Sequence, residues 1–327
     1  MMPRTLLALL LGLAASASAQ APDTDIYLAP ITRIGDSIIV GAPVNVTRRA
    51  GYDNQPSFTT DSRSILYTAQ SNGQTDIWRY DLASRRTRPV TSTPESEYSP
   101  TAMPGGRRMS VIRVERDSTQ RLWSFTLDGR DPQLVLPRLK AVGYHAWIEG
   151  DRLATYVLGT PSTLHLMNRS GTRDTVIARD VGRALQPLPP GANALFTYTQ
   201  RAADGTLHIY VVSGRTTPVK FTRRVVRVMP DGLASTTVVV DSVGRTLEQP
   251  YEFVAAPPDN EYHAWMPDVM LISASNSVLL RWNAVLGAAS AWLPVADLKP
   301  YGVKNVSRLA VSPDGQWLAF VAEPATR

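Results

Sequence analysis

Leu309-Ala310-Val311-Ser312-Pro313-Asp314-Gly315-Gln316-Trp317-Leu318-Ala319-Phe320 runs from an apolar stretch into a Pro-Asp-Gly turn and out through a second apolar stretch. That is the pattern of two short antiparallel strands joined by a tight hairpin. Two strands cannot bury enough apolar surface to be stable alone, so the unit needs copies to stack against. Apolar residues precede comparable turns at Phe58, Ala102, Trp147, Leu188, Val228 and Trp265 as well as Val311, in steps of 44, 45, 41, 40, 37 and 46 residues. A step near forty with strand-type units predicts an all-β fold, a β-propeller of four-stranded blades.

The rest of each blade follows its marker. After Phe58 come Ile65-Leu66-Tyr67-Thr68, Asp76-Ile77-Trp78-Arg79-Tyr80, a polar turn, and Pro89-Val90-Thr91. No segment shows the 3.6-residue spacing of a helix. Upstream of the first marker, Asp25-Ile26-Tyr27-Leu28 and Pro43-Val44-Asn45-Val46-Thr47 match the third and fourth strands of that blade and lack a first and second. Leu309 to Phe320 supplies a first and second strand and lacks the others. The two chain ends therefore complete one last blade, which removes the exposed sheet edges of a linear array. Seven markers favour seven blades. Residues 225 to 257 form the weakest unit, so the alternative is a six-bladed ring with a long hairpin inserted after Phe221.

Met1-Met2-Pro3-Arg4, the leucine-rich run from Thr5 to Ala14 and Ala17-Ser18-Ala19 read as a signal peptide over 1–19, with a single propeller domain over 20–327. The apolar part is shorter than a membrane span of roughly 20 residues. The chain has no cysteine, which leaves an exported protein to hold together by core burial, without disulfides or a lipid-modified cysteine. A periplasmic or secreted monomer is expected, with no transmembrane segment after cleavage. The net charge of +6 comes mostly from scattered arginines, with lysine only at Lys140, Lys220, Lys299 and Lys304. Scattered charge on an exported chain argues against nucleic acid as the partner.

Val311 to Phe320, with Gln55-Pro56-Ser57-Phe58-Thr59-Thr60-Asp61-Ser62-Arg63-Ser64-Ile65-Leu66-Tyr67 as a second copy, resembles the WD-like propeller repeat of TolB-type periplasmic proteins. The resemblance spans the chain from about Asp25 to Ala322 by periodicity. It implies an exported, non-catalytic scaffold that binds an envelope protein, peptide or glycan. TolB-type proteins also carry an N-terminal α/β domain that the residues before Asp25 are too few to form, so only the propeller and the compartment carry over. Related propellers gate serine peptidases, but no Gly-x-Ser-x-Gly element is present.

One polar motif repeats: Tyr144-His145-Ala146-Trp147 returns as Tyr262-His263-Ala264-Trp265, preceded by Glu261. Both copies fall on first strands, which line a propeller's channel, so Tyr144, His145, Glu261, Tyr262 and His263 are the candidate binding residues. Alternate residues of a strand share a face, which places each histidine with its tryptophan, and tryptophans that fill the space between blades would take the histidines with them. The alternative function is a lactonase- or lyase-like hydrolase using His145, His263 and Glu261 in the channel. The equivalent positions Pro56, Pro100, Gln186 and Leu309 offer no third strong ligand, so neither metal nor cofactor is expected. The turn aspartates Asp61, Asp231, Asp268 and Asp314 read as local backbone caps.

Overall fold

The computed structural model describes residues 22–324, apart from 36, 149, 191, 193, 214–220, 229–233, 242–249 and 284–290. The predicted signal peptide lies outside the described residues. Apart from the short 3-10 turn Lys299–Tyr301, the described elements are strands.

Six sheets form the ring. Blade 1 holds Asp53–Phe58, Ser64–Ser71, Gln74–Asp81 and Arg86–Pro89; blade 2 holds Ser96–Ala102, Arg108–Val114, Gln120–Thr126 and Gln133–Leu134. Blade 3 holds Val142–Trp147, Arg152–Val157, Thr163–Asn168 and Asp174–Arg179; blade 5 holds Ala264–Trp265, Met270–Ser275, Val278–Asn283 and Leu293–Asp297. Within each the strands pair antiparallel in chain order.

Blade 4 corrects the favoured count of seven. Its first three strands are Val181–Pro187, Ala194–Arg201 and Leu207–Ser213, and its fourth is Pro250–Ala255, paired to the third through Tyr210 opposite Glu252 and Val211 opposite Tyr251. The segment between, Phe221–Val228 with Ala234–Asp241, pairs only with itself as a two-stranded sheet. Val228 therefore marks an inserted hairpin, and the ring has six blades. The fourth strand, Pro250–Ala255, has its proline at the start of an outer strand, where a missing N–H does no harm.

Blade 6 is the predicted closure. Leu309–Val311 and Trp317–Ala322 come from the end of the chain, and Asp25–Ile34 comes from the beginning. Asp25 to Pro30 lie opposite Ala322 to Trp317, residue for residue. The outer position is shared by Ser37–Val40 and Val44–Asn45, both paired to Asp25–Ile34.

Stacked blades bury both faces of their inner strands, which is why those strands are nearly continuous apolar runs rather than alternating ones. Alternate residues go to opposite neighbours. Ile26 and Leu28 pack against Phe58, Ile65 and Tyr67 of blade 1, whereas Tyr27 and Ala29 pack against Met270 and Ile272 of blade 5. Six clusters of this kind occupy the six blade interfaces. The core is a set of wedges around an axis, and the axis itself is left to the first strands.

Candidate ligand-binding channel

A cavity of about 480 Å3 occupies the axis on the side where first strands turn into second strands, and all six blades contribute to its wall. Pro56, Phe58, Pro100, Trp147, Trp265 and Pro313 make its upper wall apolar. The turns at its mouth are locally capped. In blade 6 the Asp314 carboxylate accepts from Ser312 Oγ at 2.5 Å and from Gln316 N at 3.0 Å, and in blade 1 Asp61 accepts from Thr59 Oγ1 at 2.6 Å and from Arg63 N at 3.1 Å. Asp268 accepts weakly from Met270 N at 3.4 Å, and Asp231 lies outside the described residues. These carboxylates hold turns, as expected of Asp in a tight hairpin.

At the floor of the cavity lie Tyr144, Arg183, Tyr262 and Arg308, one each from blades 3 to 6 in order. Tyr52 of blade 1 and Tyr98 of blade 2 stand beside them, with Tyr52 near enough to feel Arg308, Tyr144 and Arg183 electrostatically. Arg308 crosses the axis: its guanidinium donates to Tyr144 Oη, on the diametrically opposite blade, at 3.0 Å. It lies over the Tyr262 ring at 4.3 Å and the Tyr144 ring at 5.0 Å, close enough for cation–π attraction. Arg183 and Tyr262 also line a second cavity on the opposite face, beside Asp180, Asp259, Asn260 and Glu261. Arg308 and its tyrosines thus form the waist between the two openings.

Electrostatics fix the protonation of this ring. Burial pushes the Tyr52 hydroxyl up to about 12 and raises Tyr262 further above its usual value, so both phenols remain neutral donors. Burial works against the Arg308 charge, but Tyr262, Tyr144 and Tyr52 more than offset it and the pKa rises. Arg183 shifts the same way, with Tyr144 the largest cause.

The five residues singled out from sequence divide into three placements. Tyr144 and Tyr262 reach the waist. Glu261 faces the second opening, where Oε2 accepts from the Arg183 main-chain N–H at 2.9 Å; a Cβ on Gly182 would meet that carboxylate at 2.7 Å and Thr199 Oγ1 at 2.3 Å, so only glycine fits there. His145 and His263 lie between blades. His145 Nε2 sits 2.6 Å from Ser110 Oγ of blade 2, which also accepts from Trp147 Nε1 at 2.8 Å. His263 Nε2 sits 2.8 Å from Thr197 Oγ1 of blade 4, which accepts from Trp265 Nε1 at 3.0 Å. The repeated motif is therefore a clamp between adjacent blades, with a hydroxyl on the preceding blade as its third member. The other blades carry Leu66, Ala154, Ile272 and Ala319 at that register, opposite Ser57, Ala146, Ala264 and Ala310. Burial lowers His145 to about 3 and His263 to about 4, which keeps both imidazoles neutral. Among the described residues no group of three His, Asp or Glu side chains is placed to hold a metal ion.

Reasoning from sequence missed Arg308, Arg183, Tyr52 and Tyr98. A signal for Arg308 was present: Tyr144 and Tyr262 stand three residues before the markers Trp147 and Trp265, and three residues before Val311 is Arg308. His165 and His208 lie on third strands, with His165 Nδ1 2.7 Å from Asp174 Oδ1 on the outer strand of blade 3.

No protein-family model matches the sequence, and no curated protein matches it either. Solved structures match the fold. A putative TolB from Agrobacterium tumefaciens aligns with a TM-score of 0.57 at 14% identity, over 93% of this chain and 99% of that one. TolB from Acinetobacter baumannii aligns at 0.53 and 10% identity over 92% of this chain, which spans 64% of the length of that protein. A gluconolactonase from Xanthomonas campestris aligns at 0.59 and 11% identity, over 93% of this chain and 97% of the enzyme. The chain is thus a TolB-like β-propeller in fold, and the same architecture serves an enzyme.

Proposed function

We propose that this chain is an exported, non-catalytic propeller that works at the cell envelope as a scaffold, taking a segment of a protein, peptide or glycan into the channel mouth. The observation that carries the reading is the cavity itself: an apolar, proline- and tryptophan-lined cup above a floor of arginine and tyrosine. Apolar walls with a few convergent polar groups are what a binding site needs. Export rests on the basic, leucine-rich and Ala17-Ser18-Ala19 features of residues 1–19. Among the described residues no helix is long and apolar enough to cross a membrane. The hydrolase alternative using His145, His263 and Glu261 has less support, because both imidazoles are engaged between blades while Glu261 lies on the other side of the waist.

The test is capture from an envelope extract with a tagged chain beginning at residue 20, beside Pro267→Asp at the exposed cavity rim. The expected result is a specific partner whose recovery falls at least about fivefold with the rim variant, since a charge at a desolvated contact costs more than 1 kcal/mol. Recovery of no partner at several salt concentrations would refute the scaffold, and equal recovery by the variant would move the contact away from the mouth.

A further inference from the structure

We infer that the waist of the channel is an anion-binding site, in which Arg308 and Arg183 receive a carboxylate or phosphate group carried by whatever enters the mouth. The inference rests on the channel reading above and adds the chemistry of the ligand.

Buried or constricted charges in folded proteins are paired, because an unpaired one loses hydration without compensation. The chain follows that rule elsewhere: Arg49 meets Asp53, Arg113 meets Glu95 and Glu97, and Arg108 meets Asp131. Arg308 breaks it, and the exposed Arg183 shares its cavity. Among the described residues neither guanidinium has a carboxylate within ion-pair distance; Glu261, the nearest acid on the same strands, is turned to the main chain of Arg183. Arg308 uses one N–H on Tyr144, and its remaining donors have no protein acceptor among the described residues. They are also absent from the buried polar atoms that lack a partner, so they face open space in the cavity. The side chain of Arg183 is exposed and makes no hydrogen bond to described protein atoms, leaving its whole planar fork free. Such a fork suits the two oxygens of a carboxylate or the face of a phosphate. Tyr262 and Tyr144 hold the Arg308 guanidinium in place by stacking, so little further order is needed on binding. The cavity above, about 480 Å3, admits an end group the size of an amino acid or a sugar acid.

The experiment is titration calorimetry of the chain from residue 20 with citrate and with inorganic phosphate as separate probes, and with glucose as the uncharged control. The expected result is saturable, one-site binding of at least one anion and none of glucose; the better of the two probes tells carboxylate from phosphate as the source. Arg308→Gln and Arg183→Gln should each weaken that binding by about tenfold or more, as loss of a charge-assisted hydrogen bond does. Arg85→Gln, on an exposed outer turn, should leave it unchanged. Arg183 makes no side-chain contact that folding needs, so its variant remains informative if Arg308→Gln fails to fold. Absence of saturable binding by either anion would overturn the inference, as would unchanged affinity in Arg183→Gln. Anion binding without an envelope partner would leave the site standing and remove the scaffold; partner capture with no anion binding would do the reverse.

Discussion

A chain that starts at Arg48, lacking residues 20–47, is expected to lose the cooperative unfolding transition of the entire ring rather than one sixth of it. Those residues supply the third strand and both outer segments of blade 6, and they leave Trp317–Ala322 with an open edge. They also remove Ile26 and Leu28 from the interface with blade 1, and Tyr27, Ala29, Ile31 and Ile38 from the interface with blade 5. At about 1.5–3 kcal/mol for each large apolar side chain, this loss is on the order of 10 kcal/mol, comparable to the whole stability of a domain. Phe320 shows the coupling in one contact: it stacks on Tyr27 with ring centroids 5.5 Å apart, and both belong to the cluster shared with blade 5. Thermal unfolding followed by tryptophan fluorescence checks the expectation. A truncated chain with a single sharp transition near that of the full chain would contradict it.

The second large effect is a contribution to stability from two buried acids that is lost as the solution turns from acid to neutral. Asp53 and Glu97 occupy equivalent places on the first strands of blades 1 and 2, both fully buried. Burial pushes Asp53 up to about 6 and Glu97 up to about 7; the Arg49 ion pair and the Thr93 hydrogen bond pull downward without overcoming it. Asp53 Oδ2 and Glu97 Oε2 have no hydrogen-bond partner, which is the geometric face of the same desolvation. Both acids therefore hold a proton in the folded chain at a pH where the unfolded chain has released it. Their contribution is fully present below the ordinary carboxylate values near pH 4 and is lost as pH rises through about 6 and 7. From about pH 5 to about pH 7.5 the linked loss is on the order of 3 kcal/mol for the pair. The turn acids Asp61 and Asp128 act in the opposite sense, with pKa values lowered chiefly by Thr59 and Thr126 hydroxyls, and they titrate below this window. His145 and His263, lowered by burial, act in the opposite sense over the same range, so the acids are read by difference: relative to the parent chain, the denaturant midpoint of Asp53→Asn with Glu97→Gln should rise as pH goes from about 5 to about 7.5. A difference between variant and parent that stays constant across that range would contradict the assignment.

Much of the fold was legible in the sequence because hairpin chemistry is local. Ser312-Pro313-Asp314-Gly315 specifies its turn wherever the chain goes next, and the matching deficits at Asp25 and Phe320 required the ends to meet. The blade count was misled by the same locality. Val228 to Gly232 carries the turn signature of a blade, yet the strands on either side of it pair only with each other, and nothing in a turn records whether a third strand will follow. The histidine-tryptophan pairing was readable from alternation alone, whereas its partners Ser110 and Thr197 were not, since they belong to the preceding blade, 35 and 66 residues away.

The ring of arginine and tyrosine was hidden for another reason. First strands carry bulges: the register shifts between Asn54 and Ser57, between Tyr98 and Thr101, and between Val181 and Leu185. Gln55 and Ser99 sit at those bulges with φ of 58° and 51°. The first two shifts add one residue to the first strand and the third adds two, so a fixed offset from the marker finds Tyr144, Tyr262 and Arg308 but not Tyr52, Tyr98 or Arg183.

The most direct test of the closed ring uses the absence of cysteine. Ile26 and Val321 are directly opposite each other on the strands that join the two chain ends. The Ile26 amide and carbonyl bond outward to Thr47 and Val46, and those of Val321 bond inward to Arg308 and Ser307, so the two residues form a non-hydrogen-bonded pair. Such pairs hold their Cα atoms about 4.5 Å apart, within the span of a disulfide. Ile26→Cys with Val321→Cys, oxidised and digested, is expected to yield one linked peptide from the two ends of the same molecule and a higher melting temperature. Two free thiols after oxidation, or links only between different molecules, would show that the beginning and the end of the chain do not share a blade.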